Sequence, residues 1–425
     1  MIKQYNLAEI PVEQILNRDI REEKGVEAIV DDIIANVRED GDAALLAYGE
    51  KFDRAKLTAL EVSEAELIEA FDAMDTEFIK TLEIARDNIS RFHSRQIQKN
   101  FVITEEGGIV LGQKYTPIEK AGLYVPGGTA SYPSSVLMNA VPAKLAGVSE
   151  LVMTTPPNAE GKIAPAILAA AKVAGVSRIF KVGGAQAIAA LAYGTETVPK
   201  VDKIVGPGNV FVATAKRKVY GLVDIDMIAG PSEILVLADG GCDPKFVAAD
   251  MLSQAEHDKL ATAVLITTSK ELAEAVSAEL ERQIPLLPRK EIARASIDVN
   301  GKIIVAESME QAVAAVNQIA PEHLEVCVAE PFALLDSIKN AGSIFLGRNV
   351  PEALGDYLAG PNHTLPTSGT ARFSSPLSVD DFVKKSSFIY YPKEALGKVA
   401  DRIVDFAERE GLHAHAESVA VRFRK

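Results

Sequence analysis

Hydrophobic positions recur at two spacings along the chain, and the change of spacing divides it. From about residue 26 to 96, apolar residues lie three and four positions apart with charged residues between them, which predicts amphipathic helices. Further along, short apolar or β-branched runs such as ELVMTTPP and TAVLITTS alternate with Ala-rich helical patterns. This alternation is typical of parallel sheets. We predict an α/β protein with two doubly wound sheets, a helical N-terminal part and, after about residue 378, a small helical unit.

Composition and charge exclude several classes of protein. The 425 residues predict two or three globular units, and 48% hydrophobic with 24% charged residues excludes collagen, coiled coils and wholesale disorder. The net charge of 45 − 59 = −14 repels nucleic acid and anionic lipid. The N-terminus lacks a secretion signal, and no run approaches about 18 apolar residues. We expect a cytoplasmic protein without nucleic-acid or membrane partners.

Gly and Pro clusters interrupt both spacings and are candidate domain boundaries. They lie at residues 126–133, 206–208 and 229–231. The usual dinucleotide fingerprint G-x-G-x-x-G does not occur. GLYVPGG (122–128), VGGAQA (182–187) and VGPGN (205–209) each follow or end an apolar run, so each could bring its backbone close to a phosphate. The alternative is a plain turn at each place.

Histidine is scarce and unevenly placed. His93 lies in a charged helical segment, so we expect it on the surface. In SQAEH, Gln254 and His257 are three positions apart on a predicted helix and share a face, so both could approach one ion. The alternative for this pair is a helix cap or a surface feature. His413 and His415, near the end of the chain, point in different directions on a helix, so only one would reach a given site.

Two further segments carry candidate chemistry. Glu322 and His323, in APEHLEV, follow a helix that Pro321 ends, so an acid and an imidazole could share acid–base work there. The alternative is a solvated loop pair. Downstream, GDYLAGPNHTLPTSGTARF holds Asp356, Asn362 and His363 in a stretch too rich in Gly and Pro for regular structure. Such long irregular loops are often functional.

Four of these side chains form a ligand set of the kind that zinc accepts: Gln254, His257, Asp356 and one tail histidine. One carboxylate and three neutral ligands leave a divalent ion with net positive charge, which suits a Lewis acid. Cysteine cannot supply the site, because the chain has only Cys242 and Cys327. We expect both thiols to be unreactive, with Cys327 buried in an apolar run.

Longer segments carry a resemblance that covers nearly the whole chain. They include AGLYVPGGTASYPSSVLMNAVPAKLAGV, VDKIVGPGNVFVATAK, AADMLSQAEHD, APEHLEV, LGDYLAGPNHTLPTSGTARF and EGLHAHAESVAVR. In motifs and spacing the sequence resembles the histidinol dehydrogenase family. The resemblance implies oxidation of L-histidinol to L-histidine through L-histidinal with two NAD+, in the last steps of histidine biosynthesis. It also implies one Zn2+ per subunit, Rossmann-like sheets, and a homodimer whose active sites are completed by the partner's C-terminal segment.

The resemblance implies roles residue by residue. The implied zinc ligands are Gln254, His257, Asp356 and, from the other subunit, His415. The implied catalytic pair is Glu322 and His323. The implied NAD contacts are Tyr124, Gln186 and Asn209. The implied substrate contacts are Ser232, Gln254, His257, His323, Asp356, Glu410 and His415.

The same resemblance implies a domain division. Residues 1–20 form an N-terminal segment, and residues 21–123 with 233–377 form a discontinuous α/β domain that carries the zinc and catalytic residues. Residues 124–232 form a Rossmann-like NAD-binding domain. Residues 378–425 form the segment exchanged in the dimer.

Several alternatives stay open. In the implied mechanism, His323 takes the hydroxyl proton as hydride leaves, and Glu322 activates the water that attacks the aldehyde. Aldehyde oxidation through a cysteine adduct is a competing route. A related zinc and NAD enzyme could act on another small amino alcohol or diol. A zinc hydrolase and a non-catalytic binding protein are the alternatives from other classes.

Overall fold

The computed structural model describes residues 2–15, 25–127 and 131–424. Its strands are β1 (Lys3–Asn6), β2 (Phe101–Glu105), β3 (Ile109–Pro117), β4 (Lys120–Tyr124), β5 (Glu150–Thr155), β6 (Arg178–Lys181), β7 (Lys203–Val205), β8 (Asp224–Ile225), β9 (Glu233–Ala238), β10 (Thr262–Thr267), β11 (Lys302–Val305), β12 (His323–Cys327), β13 (Ser343–Leu346) and β14 (Val383–Tyr390). Its α-helices are α1 (Val12–Ile15), α2 (Val26–Tyr48), α3 (Glu64–Asp72), α4 (Thr76–His93), α5 (Pro133–Ala146), α6 (Pro165–Ala174), α7 (Gly184–Tyr193), α8 (Val210–Val219), α9 (Pro244–Ala255), α10 (Lys270–Gln283), α11 (Lys290–Val299), α12 (Met309–Ile319), α13 (Phe332–Leu335), α14 (Glu352–Tyr357), α15 (Lys393–Arg409) and α16 (His413–Ala420).

The first sheet has parallel strands in the order β1-β11-β10-β9-β12-β13. Its central strands are continuous apolar runs because helices cover both faces. Along β9, Ile234 packs in the core with α9, α10 and α11, whereas its neighbour Leu235 packs in the core with α12. Because all strands run the same way, their first residues meet at one edge, where His323 pairs with Ile234 and Ser343.

The second sheet has parallel strands in the order β6-β5-β4-β7-β8. Helices α4, α5 and α6 contribute to the core on one face, and α2, α7 and α8 to the core on the other. The helical opening of the chain therefore packs on the second sheet. The strands β4, β6 and β7 end at one edge, where α7 and α8 begin.

A separate compact unit comprises residues 97–117 and 383–424. It contains an antiparallel sheet in the order β14-β3-β2 and the helices α15 and α16. The sequence pattern predicts only helices in its C-terminal part, and β14 is therefore an addition. Its sequence VKKSSFIY lacks a clear alternation, and its partner β3 lies far earlier in the chain, so no local signal marks it.

The α/β class with two helix-covered parallel sheets is confirmed. The expected grouping of residues 21–123 with 233–377 differs from the packing seen here, because α2 and α4 contribute to the cores of the second sheet. The expected boundary between residues 20 and 21 lies outside the described residues. The surface position expected for His93 is wrong, since the last turn of α4 buries it with Nδ1 2.6 Å from Oε1 of Gln96. Within the described ranges, no helix has the length and apolar character to cross a bilayer.

Candidate active site

Glu322 and His323 lie where β12 begins, at the amino edge of the first sheet. Helix α12 ends at Ile319, and the left-handed φ of 50° at Ala320 turns the chain toward the strand. Oε2 of Glu322 accepts the backbone N–H of Glu233 at 2.7 Å. Both Glu322 and His323 are buried. The alternative of a solvated loop pair is therefore wrong.

His323 is held on one side of its ring and open on the other. Its Nδ1 lies 3.0 Å from the carbonyl oxygen of Glu233 and 2.9 Å from Nε2 of Gln254. Its Nε2 is buried and has no hydrogen-bond partner within the described residues. Oε2 of Glu322 lies 3.5 Å from Nδ1, whereas Oε1 of Glu352 and Oδ1 of Asp356 lie 3.7 Å and 3.9 Å from Nε2. Burial opposes a charge on the imidazole, but these carboxylates outweigh it and raise the pKa of His323 to about 10.

The last turn of α9 brings Gln254 to the same edge. The side chain is buried, with Nε2 3.5 Å from Oε1 of Glu352. Its own Oε1 is buried without a hydrogen-bond partner in the part of the chain described. His257 follows directly after the helix, where burial lowers its pKa and the charge of Asp356 opposes that effect. Since Gln254 is only 1% exposed, the alternative of a surface feature is wrong for this residue.

Glu352 and Asp356 lie one turn apart on α14, so both face the cluster. The backbone N–H of Glu352 donates to Oε1 of the buried Glu325 at 2.8 Å. Oδ1 of Asp356 lies 3.6 Å from Nδ1 of His363. Burial would raise the pKa of Asp356, but neighbouring imidazoles, His363 foremost, lower it to about 2. The expected irregular structure is wrong at Asp356, which lies on a short helix.

The side chains at this edge suit a divalent cation. His323, Glu352 and Asp356 offer ligand atoms that lie within 4.8 Å of one another. Oε1 of Gln254 is a buried oxygen without a partner among the described residues, and the excess of carboxylates is a charge that a dication balances. Gln254, His257 and Asp356 belong to the predicted ligand set, and His257 lies close enough to Asp356 and His323 for their charges to affect its pKa. Glu352 was not predicted, although its helical spacing from Asp356 in PEALGDY is a usable signal.

A cavity of about 280 Å³ opens beside the cluster. His323, Asp356 and His363 form its polar wall. Its apolar lining comes from Ile344, Phe345, Leu346, Val350, Ala359, Pro361 and Leu365. This volume is at the small end for ligand pockets, which favours a small molecule with both polar and apolar parts.

The remaining predicted substrate contacts lie in two places. Ser232 is half-buried directly before β9, at the amino edge of the first sheet, and its carbonyl oxygen accepts the N–H of Thr262 at 3.0 Å. Glu410, His413 and His415 belong to the separate compact unit. Glu410 directly follows α15, while His413 and His415 are exposed on α16.

Tyr124, Gln186 and Asn209 lie at the carboxyl edge of the second sheet. Tyr124 is the last residue of β4, and its hydroxyl oxygen accepts the N–H of Gly184 at 3.1 Å. Burial raises the pKa of Tyr124 to about 12. Gln186 is buried in the first turn of α7. Oδ1 of Asn209 caps α8 by accepting two backbone N–H groups of its first turn.

This edge suits a nucleotide held by backbone and neutral polar groups. Near this edge, the buried polar atoms without a partner in the described ranges include Asn139 Nδ2, Thr154 Oγ1, Thr155 Oγ1 and Gln186 Oε1. Gly206 has φ of 115°, and a Cβ there would lie 2.1 Å from the carbonyl oxygen of Tyr124. Only glycine allows this approach. Gly128 of GLYVPGG lies outside the described residues.

A loop connects the two edges. Asn362 donates from Nδ2 to the carbonyl oxygen of Met138 on α5 at 2.7 Å. Nε2 of His363 lies 3.3 Å from Oγ of Ser135, while Nδ1 faces Asp356. The loop that follows α14 therefore joins the charged edge of the first sheet to a helix that packs on the second.

Comparisons with known proteins agree on one family. The family model described as histidinol dehydrogenase matches residues 16–423. The histidinol dehydrogenase of Clostridium acetobutylicum is 59% identical over 92% of this chain and 91% of its own, and that of Bacillus cereus is 58% identical over 95% and 94%. The crystal structure of the enzyme from Elizabethkingia anophelis superposes with a TM-score of 0.94 at 40% identity, covering 99% of this chain and 98% of that one. With this fold and these motifs in place, the chain belongs to the histidinol dehydrogenase family.

Proposed function

We propose that this protein oxidises L-histidinol to L-histidine through L-histidinal, reducing two NAD+, with one Zn2+ per subunit. The observation that carries the proposal is the loop at Asn362 and His363, which joins a buried imidazole and carboxylate cluster to helix α5, whose Asn139 lies beside Gly206. Hydride transfer requires the reacting alcohol and the nicotinamide to be held side by side. Family membership supports the same substrate. We expect the enzyme to act in the cytoplasm, in histidine biosynthesis.

Gln254, His257 and Asp356 would hold the zinc ion, with His415 of a second copy of the chain as the fourth ligand. Bound there, zinc supplies a Lewis acid and a template that orients the substrate. The unpartnered Oε1 of Gln254 and the clustered carboxylates support this site. Ser232 and Glu410 would contact the substrate, and Tyr124, Gln186 and Asn209 would contact NAD.

With a bound dication offsetting the carboxylates that raise its pKa, His323 would be neutral and would accept the hydroxyl proton of histidinol at Nε2 while the hydride passes to NAD+, which leaves the aldehyde. Nδ1 contacts the side-chain amide of Gln254 and the carbonyl oxygen of Glu233, whereas Nε2 has no partner in the described residues. Glu322 would then take a proton from a water molecule while the oxygen of that water bonds to the aldehyde carbon. His323 would return its proton to the carbonyl oxygen, which completes the hydrate, and would take up a hydroxyl proton again as the hydrate gives a second hydride to a second NAD+; the acid formed ionises to a carboxylate. The N–H of Glu233 fixes the position of Glu322 for this step.

We further propose a homodimer that exchanges its C-terminal segments. Large hydrophobic side chains are exposed on the separate compact unit: Phe101, Ile103, Ile389, Tyr390, Phe406 and Val421. Such a concentration of exposed apolar side chains marks an interaction surface. The same unit carries Glu410 and His415, which supports their contribution to the site of another subunit.

The test is the amount of NADH formed from limiting L-histidinol by the zinc-loaded protein. Two NADH per histidinol, lost on chelation and restored by zinc, is the expected result. Turnover of another amino alcohol or diol with none of histidinol would overturn the substrate. NADH formation from no alcohol, with ester or amide cleavage instead, would favour a zinc hydrolase.

The thiol route finds little support in the position of the cysteines. Both are buried, and Sγ of Cys242 lies 2.7 Å from the carbonyl oxygen of Cys327. The contact with the thiol of Cys242, burial and the neighbouring acids all raise the pKa of Cys327. If Ser at both positions abolished only the second oxidation in a folded protein, the thiol route would replace the one through Glu322.

A further inference from the structure

A buried ion pair binds the backbone of the loop between β7 and α8, residues 206–209. Lys216 lies on α8 and Asp226 directly follows β8, and their side chains are 2% and 1% exposed. Nζ of Lys216 donates to the carboxylate of Asp226 and, at 3.0 Å, to the carbonyl oxygen of Gly206. The other oxygen of Asp226 accepts the N–H of Gly206 at 2.7 Å. Both backbone polar groups of Gly206 are thus bound by the pair.

The pair acts at the place where the loop contacts β4. Gly206 lies so close to Tyr124 that no side chain fits between them. Nδ2 of Asn139, buried without a partner in the described residues, lies 3.2 Å from where a Cβ on Gly206 would be. Asn209 follows three residues later and caps α8, which also carries Lys216. The position of Gly206 therefore fixes the loop backbone that lies against Tyr124 and leads to Asn209, two of the proposed NAD contacts.

We propose that Lys216 and Asp226 are positioning residues for NAD binding, an inference that depends on the proposed function. A buried ion pair costs desolvation, and apolar residues of similar volume are often as stable. Apolar residues here would leave the N–H and C=O of Gly206 without partners, and the loop would lose its fixed position. The ion pair makes directional hydrogen bonds to the N–H and C=O of Gly206, which apolar packing cannot make.

The test compares two double variants on the same helix. Lys216→Met with Asp226→Leu removes both charges from the core and both contacts to Gly206. Lys218→Met with Asp31→Leu is the matched control, because it removes a Lys–Asp pair of 2.8 Å from α8 at the protein surface. We expect the dissociation constant for NAD+, measured by titration without histidinol, to rise about tenfold or more in the first variant and to stay unchanged in the control. Zinc content and histidinol binding should stay at the wild-type value in both.

An NAD+ dissociation constant within twofold of wild type in the folded first variant would overturn the inference. If that variant fails to fold, Asp226→Asn keeps the shape and removes the charge. It should then weaken NAD+ binding while leaving histidinol binding intact, and equal effects on both ligands would reduce the pair to a structural role. Wild-type protein that does not bind NAD+ at all would instead overturn the proposed function.

Discussion

The two parallel sheets carry their candidate binding groups at opposite edges. The cluster of Glu322, His323 and Gln254 lies where strands of the first sheet begin, whereas Tyr124 and Asn209 lie where strands of the second sheet end. The carboxyl edge is the usual binding edge of doubly wound sheets. The first edge is built from charged and titratable side chains, the second from glycine backbone and neutral polar groups. The difference matches the charges of the two proposed ligands, a cation at the first edge and a dinucleotide at the second.

The partial charges at the helix ends agree with this difference between the two edges. Helices α7 and α8 begin at the carboxyl edge of the second sheet, and their partial positive charge suits the pyrophosphate of a dinucleotide. Helix α9 ends at the amino edge of the first sheet, and its partial negative charge suits a cation held by Gln254 and His257. Each edge therefore offers the sign of charge that its proposed ligand requires.

Removing one carboxylate should disable the charged edge alone. Asp356→Asn keeps the size of a proposed zinc ligand and removes its charge. We expect zinc content to fall and kcat to drop about 1,000-fold, because metal assistance contributes several kcal/mol to catalysis. Metal analysis and NADH formation measure both. Asp239→Asn is the control, since Asp239 follows β9 at the other edge of the same sheet and pairs with Arg348. A variant at Asp356 that retains zinc and activity would contradict the assignment.

Variants at the two edges should affect the two oxidation steps differently. Glu322→Gln removes the proposed water base, so turnover of added L-histidinal should fall about 100-fold while the first oxidation is less affected. Gln186→Ala, at the other edge, should raise the KM for NAD+ in both steps alike. Steady-state kinetics with each substrate distinguishes the two outcomes. Near-normal histidinal turnover by the Glu322 variant would remove this residue as the water base.

Shared active sites can be tested by mixing subunits. His257→Ala and His415→Asn should each inactivate the homodimer, because each removes a proposed zinc ligand. Random mixing of the two variants should restore about a quarter of wild-type activity, because half of the dimers then hold one intact site of two. His413→Asn, exposed on the same helix as His415, is the control that should remain active. Mixed dimers without activity would place His415 in the site of its own subunit.

The smallest expected effect concerns a carboxylate near the neutral edge. Burial raises the pKa of Asp53 to about 6, and its Oδ2 has no partner within the described residues. The folded protein therefore holds a proton that the unfolded chain releases near pH 4, so wild-type stability falls as the pH rises from 4 to 6. The free energy of unfolding of Asp53→Asn should rise by about 1 kcal/mol relative to wild type between pH 4 and pH 6. This value allows for solvent screening of the partly exposed carboxylate. Urea unfolding at pH 4, 5, 6 and 7 measures it, and a constant difference would contradict the shift.

Local sequence patterns were reliable where the signal is local. The apolar runs of β9 and β10 and the Pro321 helix end predict elements that the structure contains. The patterns failed at β14 and at α14. Strand β14 depends on a partner distant in the chain, and α14 is one short helix held by contacts from elsewhere in the chain: the backbone N–H of Glu352 donates to Glu325, and the carboxylate of Asp356 faces His363.

By itself the sequence determined the α/β class, the family and the residue types of the candidate site, because hydrophobic spacing and motif order are properties of the chain alone. Only the tertiary structure decided which sheet edge each motif occupies, that Gln254 and His323 are buried, and that Glu352 joins their cluster. It also decided the pairing of Lys216 with Asp226 around Gly206. These features depend on which distant segments pack together, and burial and charge pairing arise from that packing.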